Sequence, residues 1–392
     1  MVRRKEHVDL MTVSSMLNEV DYINGIDSVF VVDCTNMAGT LTTIEVYAKK
    51  IYEKYLLRLV ISYAKNISKE AMDNKVHALD TLVSAHTAIG ELISLRPDSI
   101  FNIDEELSQA IESIRNTDKL LIKTGFENVD RFSGGLTRGE ITIVGGRPGH
   151  GKSTMMLNMV SKVIQKDNKV MLFNRELTNV EVLKKLIAIE SGKLSYGMIR
   201  QGIYEMSQLQ ELDRTRQILA KKYSPDKFRM HDKIRDFASS ATEIKKFKPD
   251  IVFDDYLQLI TPGREDERRL QLEKIVNDYK WISKEYNCVV VLASQLNRSI
   301  ETRGNPVPRL SDLAESGAIE QVAENVFFVY YSYKVDQKPE NKNQITLVAA
   351  KVRYGETGSV QMAYEGDKCT MYNDEEEMFT PPIRKEQDEI PF

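Results

Sequence analysis

A glycine-rich octapeptide carries the most specific chemical signal in the sequence. It reads Gly146-Arg147-Pro148-Gly149-His150-Gly151-Lys152-Ser153 and fits the pattern G-x-x-x-x-G-K-[ST] in full. In this pattern, backbone N–H groups curl around phosphate oxygens, the lysine reaches the β- and γ-phosphates, and the serine hydroxyl ligates Mg²⁺. We therefore predict a site for ATP and Mg²⁺ at residues 146–153 and Thr154. A chance glycine-rich turn is the alternative.

Two adjacent acids are candidates for the metal side of this site. Asp254 and Asp255 follow the apolar run 251–253, which reads as a buried strand. Successive strand residues face opposite ways, so only one of the two can point at a metal ion. Periodicity does not choose between them, and either could instead cap the turn after the strand.

Two further polar residues follow apolar runs and are candidates for catalysis. Glu176 comes after the run 170–173, and Gln295 comes after the run 289–293. The carboxyl ends of parallel strands share one sheet edge, where sites form. There Glu176 could orient and deprotonate an attacking water, and the Gln295 amide could bond the γ-phosphate. Surface polar residues are the alternative for both.

The pattern around these residues predicts an α/β fold. From Gly125 onward, apolar runs at 141–144, 170–173, 251–253 and 289–293 alternate with helical periods. Such alternation indicates βαβ units, a mostly parallel twisted sheet and right-handed crossovers. Strands dominate later, at 326–331, 344–349 and 359–363. Before Gly125 the pattern is helical, with an amphipathic segment at 104–115.

Four later motifs add a family resemblance to the phosphate loop. They are Asp-Tyr-Leu-Gln-Leu at 255–259, Ser-Gln-Leu-Asn-Arg-Ser at 294–299, Glu-Ser-Gly-Ala-Ile-Glu-Gln at 315–321 and Lys-Val-Arg-Tyr-Gly at 351–355. In this order and spacing, over about residues 125–364, they resemble DnaB-type replicative DNA helicases. The resemblance implies a RecA-like ATPase core in a ring, usually a hexamer, with ATP between subunits. It also implies translocation 5′ to 3′ on single-stranded DNA and unwinding of the duplex at a fork.

The resemblance also assigns roles to individual residues. Lys152 and Ser153 hold phosphate and Mg²⁺, and Asp255 rather than Asp254 is the metal-side acid. Glu176 matches the general base of the family, and Gln295 matches its γ-phosphate sensor.

Lys351 and Arg353 resemble the finger residues that reach the ATP of a neighbouring subunit. They are two residues apart on a predicted strand, which places both on one face. A cation there would stabilise charge on the transferring phosphoryl group. A basic, solvent-exposed strand face is the alternative.

The family contacts single-stranded DNA from loops that face the channel. The matching residues are Glu315 and Gly317, and Ala314 stands where relatives commonly carry arginine. A second group of candidates is Arg264, Arg268 and Arg269, although a solvated helix start explains these equally well. Phosphate contacts of this kind predict binding that is independent of base sequence and strongly salt-dependent.

The two ends of the chain extend the domain prediction. We expect a partial helical amino-terminal domain at 1–100, a linker helix at 101–118, the ATPase domain at 119–373 and a disordered acidic tail at 374–392. Only the later part of the family's amino-terminal domain is recognisable, at about 7–59, which puts its collar and primase contacts in doubt. The linker helix is expected to dock on the next subunit, with a plain linker as the alternative.

The tail ends in a sequence with a resemblance of its own. Asp388-Glu389-Ile390-Pro391-Phe392 resembles the carboxyl-terminal tip of bacterial single-stranded-DNA-binding proteins, which inserts into basic, apolar pockets. We hypothesise that it docks a partner protein, such as a primase or helicase loader. A merely solubilising tail is the alternative.

Composition limits the remaining possibilities. The chain has 392 residues and a formal net charge of −4, with 54 basic and 58 acidic residues. The last nineteen residues alone hold seven acids and two bases, so the rest of the chain is near neutral. There is no apolar run long enough for a membrane span and no secretion signal, and three separated cysteines suggest reduced thiols. We expect a cytoplasmic protein of a bacterial cell, with a phage gene as one source.

The sequence thus favours an ATP-dependent replicative DNA helicase. Two alternatives share its ATPase core. One is a recombination or repair ATPase that does not unwind processively, and the other is a nucleotide-switched scaffold or loader in which turnover hardly matters.

Overall fold

The structure is a computed structural model that describes residues 41–72, 81, 85, 103–115, 120–202, 205–260, 268–313 and 317–379. The chain divides into two compact units, residues 1–107 and 108–392, which are described separately. In the first unit, α1 (Leu41–Ala71) confirms the helical prediction over its own length. The remainder of the predicted amino-terminal domain lies outside the described residues, apart from residues 72, 81 and 85.

The predicted linker segment is a helix, α2 (Ile103–Arg115). Four apolar side chains recur along it at helical spacing and are about half exposed or more: Ile103, Leu107, Ile111 and Ile114. A helix with such a stripe is stabilised when the stripe is covered by another surface.

A nine-stranded sheet forms the centre of the second unit, with the strand order β11-β10-β9-β8-β3-β7-β6-β4-β5. The strands are β3 (Ile141–Gly146), β4 (Val170–Asn174), β5 (Phe228–His231), β6 (Ile251–Asp255), β7 (Val289–Gln295), β8 (Asn325–Tyr330), β9 (Gln344–Val352), β10 (Gly358–Glu365) and β11 (Thr370–Tyr372). The six strands from β8 to β5 in this order are parallel, and β9, β10 and β11 add antiparallel pairings. A separate antiparallel pair, β1 (Leu121–Ile122) and β2 (Leu136–Thr137), precedes the sheet. The prediction of an α/β fold with a mostly parallel sheet is confirmed.

Helices cover both faces of the sheet. They are α3 (Glu127–Ser133), α4 (Lys152–Ile164), α5 (Asn179–Ser191), α6 (Tyr196–Gln201), α7 (Met206–Lys222), α8 (Phe237–Phe247), α9 (Arg268–Glu285), α10 (Gly317–Val322), α11 (Tyr333–Asp336) and α12 (Glu375–Phe379). Alternate strand residues enter different cores, as the two-residue period of a strand requires. Val144 packs with α4 residues in one cluster, whereas Ile143 packs with α9 residues in the other.

The prediction that the disordered tail begins at residue 374 is wrong for its first six residues. Residues 375–379 form α12, although three of its five residues are glutamates. Glu377 forms an ion pair with Lys162 on α4 at 3.2 Å and accepts hydrogen bonds from Asn373. These bonds offset the charge repulsion that made the segment read as disordered. Residues 380–392 lie outside the described residues.

None of the helices among the described residues is both long and apolar enough to cross a membrane.

Candidate nucleotide site

The predicted phosphate loop connects the end of β3 to the start of α4. Pro148 and Gly149 form its exposed tip. Gly149 and Gly151 have φ angles of +79° and +98°, a region that glycine enters without steric cost. The Lys152 ammonium lies 2.9 Å from the Gly146 carbonyl oxygen, so its side chain folds back over the loop. The loop therefore presents backbone N–H groups, the amino end of α4 and a lysine to one point, as phosphate binding requires.

Two side chains of the loop anchor it to the protein. The Arg147 guanidinium donates to Glu301 Oε1 at 2.8 and 2.5 Å and to the Leu296 carbonyl oxygen at 2.8 Å. His150 Nδ1 accepts the backbone N–H of Tyr331 at 3.2 Å. Arg147 and His150 were predicted with the nucleotide-binding residues. Their side chains contact the neighbouring segments, and so they hold the backbone that would face the phosphates.

The structure separates the two adjacent acids at the end of β6. Asp255 is 7% exposed, and its carboxylate lies close enough to Ser153 and Lys152 for both to act on its pKa. Burial raises the pKa of Asp255, while Ser153 and Lys152 act in the opposite direction. Asp254 is fully buried on the other side of the strand, where it pairs with Arg175. Asp255 is thus the acid that faces the phosphate loop, a choice that strand periodicity left open.

Glu176 lies close enough to Lys152 for its charge to act on the lysine, which assigns both residues to one site. Burial lowers the pKa of Lys152, and the negative charges of Asp255 and Glu176 oppose this shift. Glu176 is exposed and lies in the short connection between β4 and α5. The next helix begins immediately afterwards, at a capping box in which Thr178 and Glu181 bond each other's backbone N–H groups. This cap fixes the length of the connection that carries Glu176.

Gln295 lies beside the phosphate loop because of the register of β3 and β7. The register pairs Gln295 with Gly146, the last residue before the loop. The sequence reasoning missed Gln258, whose side chain accepts the Gln295 N–H at 3.3 Å and donates to Ser294 Oγ at 3.1 Å. Gln258 belongs to the motif at 255–259, so a signal existed, but only the contact shows that it supports Gln295.

A second missed residue is Asn174, the last residue of β4. It is 3% exposed and pairs in register with Asp255. Its side-chain N–H₂ donates to the Leu177 carbonyl oxygen at 2.9 Å. Its Oδ1 atom, like Asp255 Oδ1, is buried without a hydrogen-bond partner among the described residues. A polar residue ending a buried apolar strand was the available sequence signal.

The donor atoms fit Mg²⁺. The ion takes oxygen ligands and is usually held by one or two protein groups, with phosphates and water completing its shell. Ser153 and Asp255 supply a hydroxyl and a carboxylate, and the unpartnered Asp255 Oδ1 is available to a further group.

Lys351 and Arg353 lie near the amino-terminal ends of the parallel strands, opposite the end that carries the phosphate loop. Lys351 is on β9 and pairs with Val326, and its ammonium contacts the Glu320 carbonyl oxygen at 2.5 Å. Arg353 follows the end of β9, one residue beyond the strand that was expected to contain it, and its guanidinium lies 3.2 Å from Glu324 Oε1. Glu324 also accepts the N–H of Ile141, the first residue of β3.

This register separates both cations from the phosphate loop of their own chain. The loop follows Gly146 at the other end of β3, about 16 Å along the strand at 3.3 Å per residue. In their contacts with Glu320 and Glu324, the two cations do not reach the phosphate loop of their own chain.

The predicted DNA contacts are described only in part. Arg268 is the first residue of α9, Gly317 is the first residue of α10, and these two helices pack against each other. The segment that leads to α10 is fixed by an ion pair between Arg303 and Asp312 at 3.0 Å. Arg269 follows Arg268 in α9. Glu315, Ala314 and Arg264 lie outside the described residues.

We predict that protonation of His150 destabilises the folded protein at acid pH. Burial, with Lys152 and Arg147 adding to it, lowers the pKa of His150 to about 4. The unfolded chain, with a histidine pKa of about 6.5, binds the proton first, so stability present above pH 6.5 is lost as the pH falls towards 4. We expect His150 to account for about 3 kcal/mol of that loss.

The measurement compares urea unfolding of the wild type with that of His150→Asn at pH 7 and pH 4. Asparagine retains an acceptor near the position of Nδ1 but does not titrate. The variant should lose less stability between the two pH values. Equal losses of stability in the wild type and the variant would contradict the lowered pKa of His150.

Comparisons with known proteins identify the family of this chain. Residues 122–374 match the model of the DnaB-like helicase C-terminal domain. The replicative DNA helicase DnaC of Bacillus subtilis is 31% identical over 374 residues, covering 92% of this chain and 82% of the relative. The replicative DNA helicase DnaB of Geobacillus stearothermophilus is 30% identical over the same length and the same shares.

Solved structures show the same architecture. A DnaB-like replicative helicase, solved in a study of its interactions with primase, has a TM-score of 0.70 at 25% identity and covers 94% of this chain and 88% of its own. A second solved structure, an isolated ATPase domain, has a TM-score of 0.64 at 28% identity, covering 70% of this chain and 99% of its own. With a family model matched over more than half of its length and a relative above 30% identity, the chain belongs to the DnaB-like family of replicative DNA helicases.

Proposed function

We propose that this chain is the subunit of a ring, in the hexameric form usual for the family, that hydrolyses ATP to move 5′ to 3′ on single-stranded DNA and unwind the duplex ahead of it. The observation that carries the proposal is the division of the ATPase machinery between two sheet edges. The phosphate loop, Asp255 and Gln295 lie at one edge, and Lys351 and Arg353 lie at the other. A head-to-tail ring brings these edges together at each interface.

Each residue of the loop edge has a defined task. Backbone N–H groups and Lys152 bind the phosphates of ATP, and Ser153 with Asp255 would hold Mg²⁺, which neutralises phosphate charge when bound. Glu176 accepts the proton of the attacking water, and its exposed position leaves room for that water. Gln295 contacts the γ-phosphate and passes its loss to the segment that follows β7.

Lys351 and Arg353 complete the site of the neighbouring subunit. Their charge stabilises the negative charge that develops on the transferred phosphoryl group. Hydrolysis is therefore coupled to assembly, and a separate subunit is a poor ATPase.

DNA binding is assigned to the starts of α9 and α10, at Arg268, Arg269 and Gly317, and to Glu315. The backbone at Gly317 would approach DNA phosphates closely, and the arginines would neutralise them. Such contacts are non-specific for sequence and weaken as salt rises. The apolar stripe of α2 would dock on the next subunit. Primase and a helicase loader are the protein partners that this function implies, in the cytoplasm of a bacterial cell.

Removing the Lys152 ammonium should abolish both ATP hydrolysis and unwinding. The test uses a forked DNA with a 5′ single-stranded tail at several salt concentrations, with Lys152→Ala compared against the wild type. Lys166→Ala serves as the control, because Lys166 is an exposed lysine just past the end of the same helix.

Four results are distinguishable in this assay. Unwinding by the wild type and by Lys166→Ala, but not by Lys152→Ala, supports the proposal. Unwinding by Lys152→Ala refutes the site. ATP hydrolysis without unwinding by the wild type would favour a recombination or repair ATPase, and negligible hydrolysis would favour a nucleotide-switched scaffold.

The last five residues, 388–392, are proposed to dock a pocket that recognises single-stranded-DNA-binding-protein tips. A terminal carboxylate with an adjacent aromatic ring suits capture by a basic, apolar pocket. Deleting Pro391 and Phe392 should weaken the binding of a protein that carries such a pocket, measured by titration against the full chain. Exchange of Glu386 for Gln, outside the tip, is the control. Unchanged affinity after the deletion would contradict the proposed docking role of the last five residues.

A further inference from the structure

An ion pair between Arg175 and Asp254 lies directly behind the catalytic edge. The Arg175 Nε and Nη2 atoms donate to the two carboxylate oxygens of Asp254, each at 2.7 Å. The side chains are 2% and 0% exposed. This two-point contact fixes the relative position of the groups as well as their distance.

Neighbouring elements supply further hydrogen-bond partners to both members of the pair. Arg175 also donates to the Ile234 carbonyl oxygen and to Ser240 Oγ, each at 2.9 Å. The Tyr279 hydroxyl donates to Asp254, and burial raises the pKa of that hydroxyl well above its usual value, so it remains a donor. The network therefore ties the ends of β4 and β6 to α8 and α9.

Each member of the pair is the chain neighbour of a catalytic candidate. Arg175 precedes Glu176, and Asp254 precedes Asp255. The Arg175 N–H donates to the Asp255 carbonyl oxygen at 2.8 Å, which extends the pairing of β4 and β6 to the edge of the site. Because successive strand residues face opposite ways, anchoring Asp254 on the α9 face holds Asp255 towards the phosphate loop.

Stability alone does not account for such a pair. Replacing a buried ion pair by apolar residues of similar volume is often neutral or stabilising, whereas removing one partner leaves a buried charge uncompensated. What apolar residues do not reproduce is the fixed geometry of two parallel hydrogen bonds.

We propose that the Arg175–Asp254 pair is a positioning device that sets where Glu176 and Asp255 stand, so that ATP hydrolysis depends on it while nucleotide binding does not. The inference rests on the proposed ATPase function. Small displacements of catalytic groups are costly, with 1 Å worth up to about a hundredfold in rate.

The test separates positioning from stability with an apolar replacement of the whole network. The variant carries Arg175→Met, Asp254→Val and Tyr279→Phe in the full chain. It should unfold at a temperature close to that of the wild type and bind ATP with similar affinity. Its kcat for DNA-stimulated hydrolysis should fall by about tenfold to a hundredfold. Wild-type kcat in the folded variant would overturn the proposal.

A matched control uses another buried carboxylate cluster. Glu190 accepts hydrogen bonds from Lys222 at 2.6 Å and from the Tyr223 hydroxyl at 2.7 Å, away from Glu176 and Asp255 in sequence. The variant Glu190→Leu, Lys222→Met, Tyr223→Phe should keep its kcat. An equal loss of kcat in this control would also overturn the proposal, because the effect would then be general.

A second variant covers the case in which the triple replacement fails to fold. Arg175→Lys keeps the charge but not the two-point contact. The folded variant should bind ATP normally with a reduced kcat, and an unchanged kcat would overturn the proposal. If the wild type itself does not hydrolyse ATP, the proposed function fails and this inference falls with it. If it does and the variants match it, only the positioning role fails.

Discussion

The parallel pairing of β3 with β7 and β8 decides which groups of this chain can act on one nucleotide. Parallel strands end at one edge, so the phosphate loop after β3, Asp255 at the end of β6 and Gln295 at the end of β7 meet there. The antiparallel return of β9 carries Lys351 and Arg353 to the other edge. Within one chain, the two groups of residues therefore lie at opposite ends of the parallel strands.

Within the loop edge, most of the order comes from side chains that do not face the phosphates. Arg147 and His150 fasten the loop to the segments after β7 and β8, and Gln258 supports the strand end that carries Gln295. These contacts fix the donors before a nucleotide arrives. Preorganisation of this kind spares the site a reorganisation cost during the reaction.

The local parts of this architecture were predictable from sequence. Continuous apolar runs predicted four of the six parallel strands, β3, β4, β6 and β7. The phosphate loop follows from a pattern of glycines, lysine and serine within eight residues. The choice between Asp254 and Asp255 was not predictable from periodicity, because both side chains are buried and only contacts with Ser153 or Arg175 distinguish them. The resemblance to known helicases pointed to Asp255, and in the structure Asp255 is the acid that lies on the side of Ser153 and Lys152.

Contacts over long distances in sequence account for what was missed. Arg175 is a single polar residue just past a strand end, and its side-chain partners lie up to about a hundred residues away, so no local pattern marks it. Predicting the position of Arg353 relative to the phosphate loop would have required the register of three strands. The acidic segment at 375–379 is helical because Lys162 and Asn373 meet Glu377, which composition alone does not reveal.

The most direct test of a site built from two subunits mixes two inactive variants. Lys152→Ala lacks the loop lysine but offers an intact Arg353, and Arg353→Ala should bind nucleotide yet fail to hydrolyse it. In rings assembled from equal amounts of both, roughly a quarter of the interfaces combine an intact Lys152 with an intact Arg353. ATP hydrolysis that is absent from each variant alone and returns in the mixture is the predicted result. Mixed rings, verified by native mass spectrometry, that remain inactive would contradict the account.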